Sequence, residues 1–200
     1  MPDPLNMSLT NTDFLKLDAG VRAAFLGEKA RVVHLRAKTR LYKLSSYETK
    51  ENDWGFLSPW WSVVEPFMED DLGARGRYLE AKLNGVTMQE MVRFAAAIRI
   101  DWNDIEQYQE IVLNQETKGF WGLFAPQPKE TPDNGNLDQI AKNQSKRERL
   151  DKMGVYVPET LGGIEAWQLF IPNLKKEHCT VSPTIPSHDM AALGLHLSLI

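Results

Sequence analysis

Apolar positions along the chain recur with two periods, and the points where the period changes mark the elements. Over residues 10–26, Phe14, Leu15, Leu17, Val21, Ala24 and Phe25 share roughly one helical face. That spacing predicts an amphipathic helix, with Gly27 as its stop. Residues 31–35 and 39–44 are short β-prone runs, the second alternating as Leu41, Tyr42, Lys43, Leu44. A polar stretch, 45–53, separates them from Trp54-Gly55-Phe56-Leu57-Ser58-Pro59-Trp60-Trp61. Residues 64–75 read as irregular, and the acidic run Glu69-Asp70-Asp71 as solvated surface. Residues 78–83 read as a strand. Thr87-Met88-Gln89-Glu90 is a capping box, and the helix it opens runs through Met91, Phe94, Ala95 and Ile98. Asp104 reads as the start of a short helical turn.

Further along, 109–113 and 118–124 are β-prone, and 126–136 is a proline- and glycine-rich loop. Residues 137–153 carry many charges and little apolar face, which predicts an exposed helix or insertion, and 166–171 reads as a strand. The expected organisation is a flexible leader (1–10), one α+β domain (11–175) and a tail (176–200) that docks on the body or on a partner. The domain is expected to hold a compact, mostly antiparallel central sheet flanked by the N-terminal helix and the mid-chain helix.

Composition narrows the function classes. The 200 residues are 42% hydrophobic and 25% charged, ordinary for a folded domain with a real core. A net charge of -4 offers no global attraction for nucleic acid. No run reaches the roughly 18 apolar residues of a membrane span. The start, Met1-Pro2-Asp3-Pro4, lacks a basic region and an apolar run. The expected location is therefore the cytoplasm, or another cell reached without a signal peptide. Cys179 stands alone, so no disulfide or cysteine-rich metal site forms within the chain, and it reads as an inert buried thiol. The four histidines are scattered, and no metal site is expected.

The candidate chemistry starts at Leu161-Gly162-Gly163-Ile164-Glu165-Ala166-Trp167-Gln168. Paired glycines permit a sharp turn or a close approach to a ligand, and Gln168 brings a neutral donor and acceptor beside them. Trp60 and Trp61 form a possible stacking platform, but alternation lets at most one of them line a given pocket. The basic stretch 142–152 is interrupted by Glu148 and Asp151, so it reads as solvated surface.

Three segments together resemble domains of the tuberculosis-necrotising-toxin (TNT) type. They are Leu41-Tyr42-Lys43-Leu44 followed by Gly55-Phe56-Leu57-Ser58-Pro59; Glu110-Ile111-Val112-Leu113 with Gly119-Phe120-Trp121-Gly122 and Ala125-Pro126-Gln127; and Gly162-Gly163 with Gln168. They cover about 60 residues and occur in the family's order. Lys43 stands where the family has an arginine, four residues separate Gly163 from Gln168, and the family's mid-domain histidine has no counterpart. The resemblance implies an NAD glycohydrolase of bacterial toxin or effector type, with NAD as substrate and no cofactor. It also implies an inhibitor or immunity protein as a possible partner. Gln168 would position the ribose or the attacking water, and Glu110 would serve as carboxylate. Lys43 with Arg75 or Arg77 would neutralise the pyrophosphate, Ser58 would join the cleft, and Trp60 or Trp121 would stack on nicotinamide. Glu110, with Thr117-Lys118, also bears a looser resemblance to the glutamate strand of ADP-ribosyltransferases. A non-catalytic interaction module on the same fold is the competing expectation. The enzyme reading requires Lys43, Ser58 and Gln168 to meet at one cleft; the module requires a filled one.

Overall fold

The computed structural model describes residues 3–68, 71–163 and 166–200. Its strands are β1 (Arg31–Leu35), β2 (Arg40–Ser45), β3 (Trp60–Val63), β4 (Gln107–Leu113), β5 (Thr117–Leu123), β6 (Gln127–Pro128), β7 (Thr160–Leu161), β8 (Trp167–Phe170), β9 (Cys179–Val181) and β10 (Ile185–Pro186). The α-helices are α1 (Ala19–Ala23), α2 (Gly73–Leu83), α3 (Met88–Ala95), α4 (Leu137–Lys152) and α5 (Met190–His196). Among the described residues, eight strands form one antiparallel sheet in the order β1-β5-β8-β3-β2-β4-β10, with β9 also on β4. The α+β class and the antiparallel sheet match the sequence expectation.

The sheet divides in the middle. β2 and β4 pair over six positions, Arg40↔Val112 to Ser45↔Gln107, whereas β2 and β3 pair at only two, Leu41↔Val63 and Tyr42↔Ser62. Apolar side chains from both halves meet in one core: Val33 and Leu35 from β1, Leu41, Trp61, Val63, Ile111, Leu113, Trp121 and Leu169. Burying each large side chain there contributes about 1.5–3 kcal/mol. The outer face of the β2–β4 half is covered by α2, α3 and α5, through Tyr42, Leu44, Val64, Ala74, Tyr78, Val92 and Leu193. The outer face of the other half packs Phe120 and Phe170 against Phe14 and Phe25.

Several elements differ from the sequence reading. The N-terminal helix is broken into a 3-10 segment, Asn11–Lys16, and α1. Leu17 is extended, and the Asp18 carboxylate accepts from the Gly20 amide, so it restarts the helix instead of continuing it. Residues 78–83 are helical, because Ala74, Arg77, Tyr78 and Ala81 of α2 bury one face at spacings of three and four. Asp104 lies in an irregular stretch and accepts from Lys146 and Arg149 of α4. Leu5 of the leader is bonded to the backbone of Glu116 and Lys118. The tail docks on the body: β9 and β10 extend the sheet, and Leu193 and Leu197 enter the core. The capping box is as expected, with Glu90 N donating to Thr87 Oγ1 and Thr87 N donating to Glu90 Oε2.

Gly73 opens α2 with a φ of 60°, and an added Cβ would stand 2.5 Å from the Val64 carbonyl oxygen. Both strain and clash therefore exclude a larger residue. Gly73→Ala is expected to cost about 2 kcal/mol or more of stability in chemical denaturation. A loss within experimental error would show that α2 can start differently.

Candidate functional site

A cavity of about 450 Å³ opens where β2 and β3 part. That volume is in the range of small-molecule sites, about 300–1,000 Å³. Lys43, Ser58, Trp60, Trp61 and Gln168 line it, together with Ala125 and Gln127 of the Ala-Pro-Gln segment. Helix α3 supplies the wall through Val92, and Trp102 stands at the border, 53% exposed. Strand alternation sends Lys43 and Trp61 to one side and Trp60, Ser62 and Gln168 to the other. The cavity reaches both sets because the ladder between β2 and β3 ends at Tyr42 and Ser62.

Each lining group is held by its neighbours. Gln168 is 1% exposed, and its Nε2 donates to the Ala24 carbonyl at 2.8 Å. Among the described residues nothing donates to its Oε1, which leaves an acceptor for a hydroxyl or water. Trp60 packs edge-on against Phe170 (4.8 Å between ring centroids) and tilted on Phe25 (5.7 Å). Trp61 is buried, and its indole Nε1 donates to the Ser58 carbonyl at 2.7 Å. The Lys43 Nζ sits 4.7 Å from the centre of the Trp61 ring, with no acceptor or carboxylate partner among the described residues. Burial pulls its ammonium down to about 8. Arg99 lies 4.6 Å over Trp102 and donates to Gln127 Oε1, which fixes the cleft border.

The remaining expected residues divide. Arg77, not Arg75, comes close to the site. It is 5% exposed, donates to Glu80 at 2.7 Å, and lines a small chamber that shares Tyr42, Ser62, Val92, Ala96 and Phe124 with the cleft. Arg75 bonds Glu65 and the Ser198 carbonyl instead. Trp121 does not reach the cleft: it is fully buried, stacked on Trp167 and edge-on to Phe67, because β5 turns it into the core shared by the two halves of the sheet. Glu110 is also outside the cleft. Its carboxylate accepts from Arg40 Nε and Nη2 (2.7 and 3.0 Å) and from Tyr108 (3.0 Å), and lies 2.9 Å from His196 Nε2 of α5. Burial pushes its pKa up, but the bonds from Arg40, His196 and Tyr108 more than offset this and hold it below the ordinary value. It is a structural clasp between β4 and the tail.

Gly162 and Gly163 both have a φ of 81°. Gly162 donates its amide to the Phe94 carbonyl, and an added Cβ would lie 3.3 Å from Pro126 Cα. The close approach is thus to backbone. Ile164 and Glu165, which complete the motif's spacing, lie outside the described residues, as do Glu69 and Asp70 of the acidic run. Asp71 of that run is 8% exposed and lines the inner chamber. Burial raises it to about 6, against the Gly73 amide, the Arg77 charge and the Phe67 amide. Arg77 had a sequence signal, its phase with Ala74 and Ala81. Asp71 and Trp102 had none.

A second cavity of about 440 Å³ lies between α3 and α4, with Met91, Phe94 and Leu150 among its walls, and none of the expected site residues reaches it. Cys179 is buried, and its thiol is pushed up to about 11 by burial. Among the described residues no group of three or more His, Cys, Asp or Glu could hold a metal ion, and no helix is long and apolar enough to cross a membrane. No protein-family model, curated protein or solved structure matches the chain.

Two outcomes follow from these surroundings. Lys43→Met is expected to raise stability at pH 7 by about 2 kcal/mol. The folded lysine titrates near 8 and an unfolded one near 10.5, so the cost is full below 8 and fades as pH rises to 10.5. Denaturation at pH 7 and 10.5 should show the two proteins converging; equal stability at pH 7 contradicts this assignment. Glu110→Gln should lose about 2 kcal/mol, because Arg40 keeps only its longer contact to the exposed Glu65 (3.5 Å) and His196 loses its carboxylate partner. A change below about 1 kcal/mol would remove the clasp role.

Proposed function

We propose that the cleft between β2 and β3 binds NAD and cleaves its nicotinamide–ribose bond, so that the chain is an NAD glycohydrolase. The observation that carries the reading is that Lys43, Ser58, Trp60 and Gln168, chosen from separate parts of the chain, line one open cavity of ligand size. Its aromatic and neutral polar lining suits a flat base joined to a hydroxylated sugar, and Lys43 supplies the unpaired cation for a phosphate. An open cleft also favours a ligand over the filled surface of an interaction module.

Nicotinamide is a good leaving group, and cleavage builds positive charge on the ribose. The protein's task is therefore mainly to hold the substrate and orient its hydroxyls. Trp60 stacks on the base, the free Gln168 Oε1 accepts from a ribose hydroxyl or water, and the Lys43 ammonium pairs with the pyrophosphate.

Incubation of micromolar protein with NAD is expected to release nicotinamide. Gln168→Ala should lower kcat/KM by about 10–100-fold, the cost of about 1.4–2.7 kcal/mol of lost orientation. Wild-type ADP-ribose affinity should fall as pH rises through 8 and Lys43 loses its proton. The Lys43→Met variant should show no such decline. No release by the wild type sinks the reading, and release only with an added protein or nucleic-acid acceptor redirects it to an ADP-ribosyltransferase.

A further inference from the structure

The inner chamber behind the cleft contains a group that the site described so far does not use. It measures about 20 Å³, room for one water molecule, and its polar liners are Asp71, Arg77, Tyr42, Ser62 and Trp167, whose buried indole N–H also lacks a partner among the described residues. Among the described residues Asp71 Oδ2 is fully buried without a hydrogen-bond partner. A buried carboxylate oxygen left unpaired costs free energy comparable to a lost hydrogen bond, so a retained one calls for a partner. Gly73 fixes the approach: its backbone lies against Val64, at the end of β3, and it lines the same chamber. The chamber and the cleft share Tyr42, Ser62, Val92, Ala96 and Phe124, so a molecule held in one stands beside the other.

We propose that Asp71 holds the hydrolytic water in this chamber and accepts its proton as the water attacks a ribose bound in the cleft. The inference rests on the glycohydrolase reading. In the step, the water oxygen adds to the ribose C1′ and one water proton passes to Asp71 Oδ2. The C1′–nitrogen bond breaks, and its electron pair leaves with nicotinamide, which becomes neutral. The product is ADP-ribose, and Asp71 afterwards returns its proton to solvent. Arg77 remains charged throughout and favours the carboxylate. Among the described residues, the charged or titratable groups facing Asp71 are Arg77 from α2 and Tyr42 from β2, while α3 and the residue after it present Val92, Ala95 and Ala96. The carboxyl titrates near 6, so it is a carboxylate at neutral pH and still a competent base.

The test compares wild type, Asp71→Asn and Asp71→Ala for nicotinamide release and for ADP-ribose binding by calorimetry. Asp71→Asn is expected to lose about 100-fold or more in kcat, with KM and ADP-ribose affinity within about threefold. Wild-type kcat should rise with pH and level off above about 6. Formate, small enough for the space left by Asp71→Ala, should restore part of that variant's rate. A kcat for Asp71→Asn within about fivefold of wild type overturns the inference while leaving the glycohydrolase reading intact. If Asp71→Asn does not fold, the formate arm decides, and a rate indifferent to formate overturns the inference. A wild type that releases no nicotinamide overturns both.

Discussion

The site depends on a ladder that stops early. β2 and β3 are the only neighbours joining the β1-β5-β8-β3 half of the described sheet to the β2-β4 half, and they pair at only two positions. Had they continued, Lys43 would have been opposite Trp61 in a closed ladder. Instead the strands diverge, and the connections at 36–39 and 114–116 tie the halves together elsewhere. The two halves can then close over a shared apolar core while leaving a fork on one side. The core's demand for burial and the opening of the cleft are satisfied by the same bend.

Polar groups in this fold are treated in two ways. Glu110 is buried but surrounded by Arg40, Tyr108 and His196, so its charge is satisfied within the protein. Lys43 is half-buried with no carboxylate partner among the described residues, Asp71 is buried with one oxygen unpaired, and each shifts toward its neutral form. The first arrangement ties strands to the tail helix. The second concentrates incompletely satisfied groups around the cleft and its inner chamber, where an incoming ligand can offset what folding left open.

Local signals were legible in the sequence and long-range ones were not. The Thr87 capping box works within one turn of chain, and α3 starts where it predicts. Alternation puts Trp60 and Trp61 on opposite faces, but it does not limit the cleft to one of them: both line it, because the β2–β3 ladder ends and the cavity reaches both sides. Residues 78–83 were misread because Tyr-Leu-Glu-Ala-Lys-Leu suits either period until Ala74 and Arg77 are included. Motif order suggests Glu110 and Trp121, and charge alone suggests Arg75, but their roles are set by partners 46 to 70 residues away or by the docked tail. Asp71 was discounted as part of an acidic run, since charge spacing carries no information about the cover from α2 and α3.

The place of β8 has a consequence for how the protein is made. It lies between β5 and β3, yet it follows β5 by more than 40 residues in the chain. Until residues 167–170 arrive, Phe120 and Trp60 sit on two apolar strands with facing, unpaired edges. Such edges are templates for pairing with other chains. Pairing of this non-local kind is also slow, on the order of milliseconds to seconds. The strand that carries Gln168 is therefore the one whose late insertion decides between a closed sheet and an aggregate.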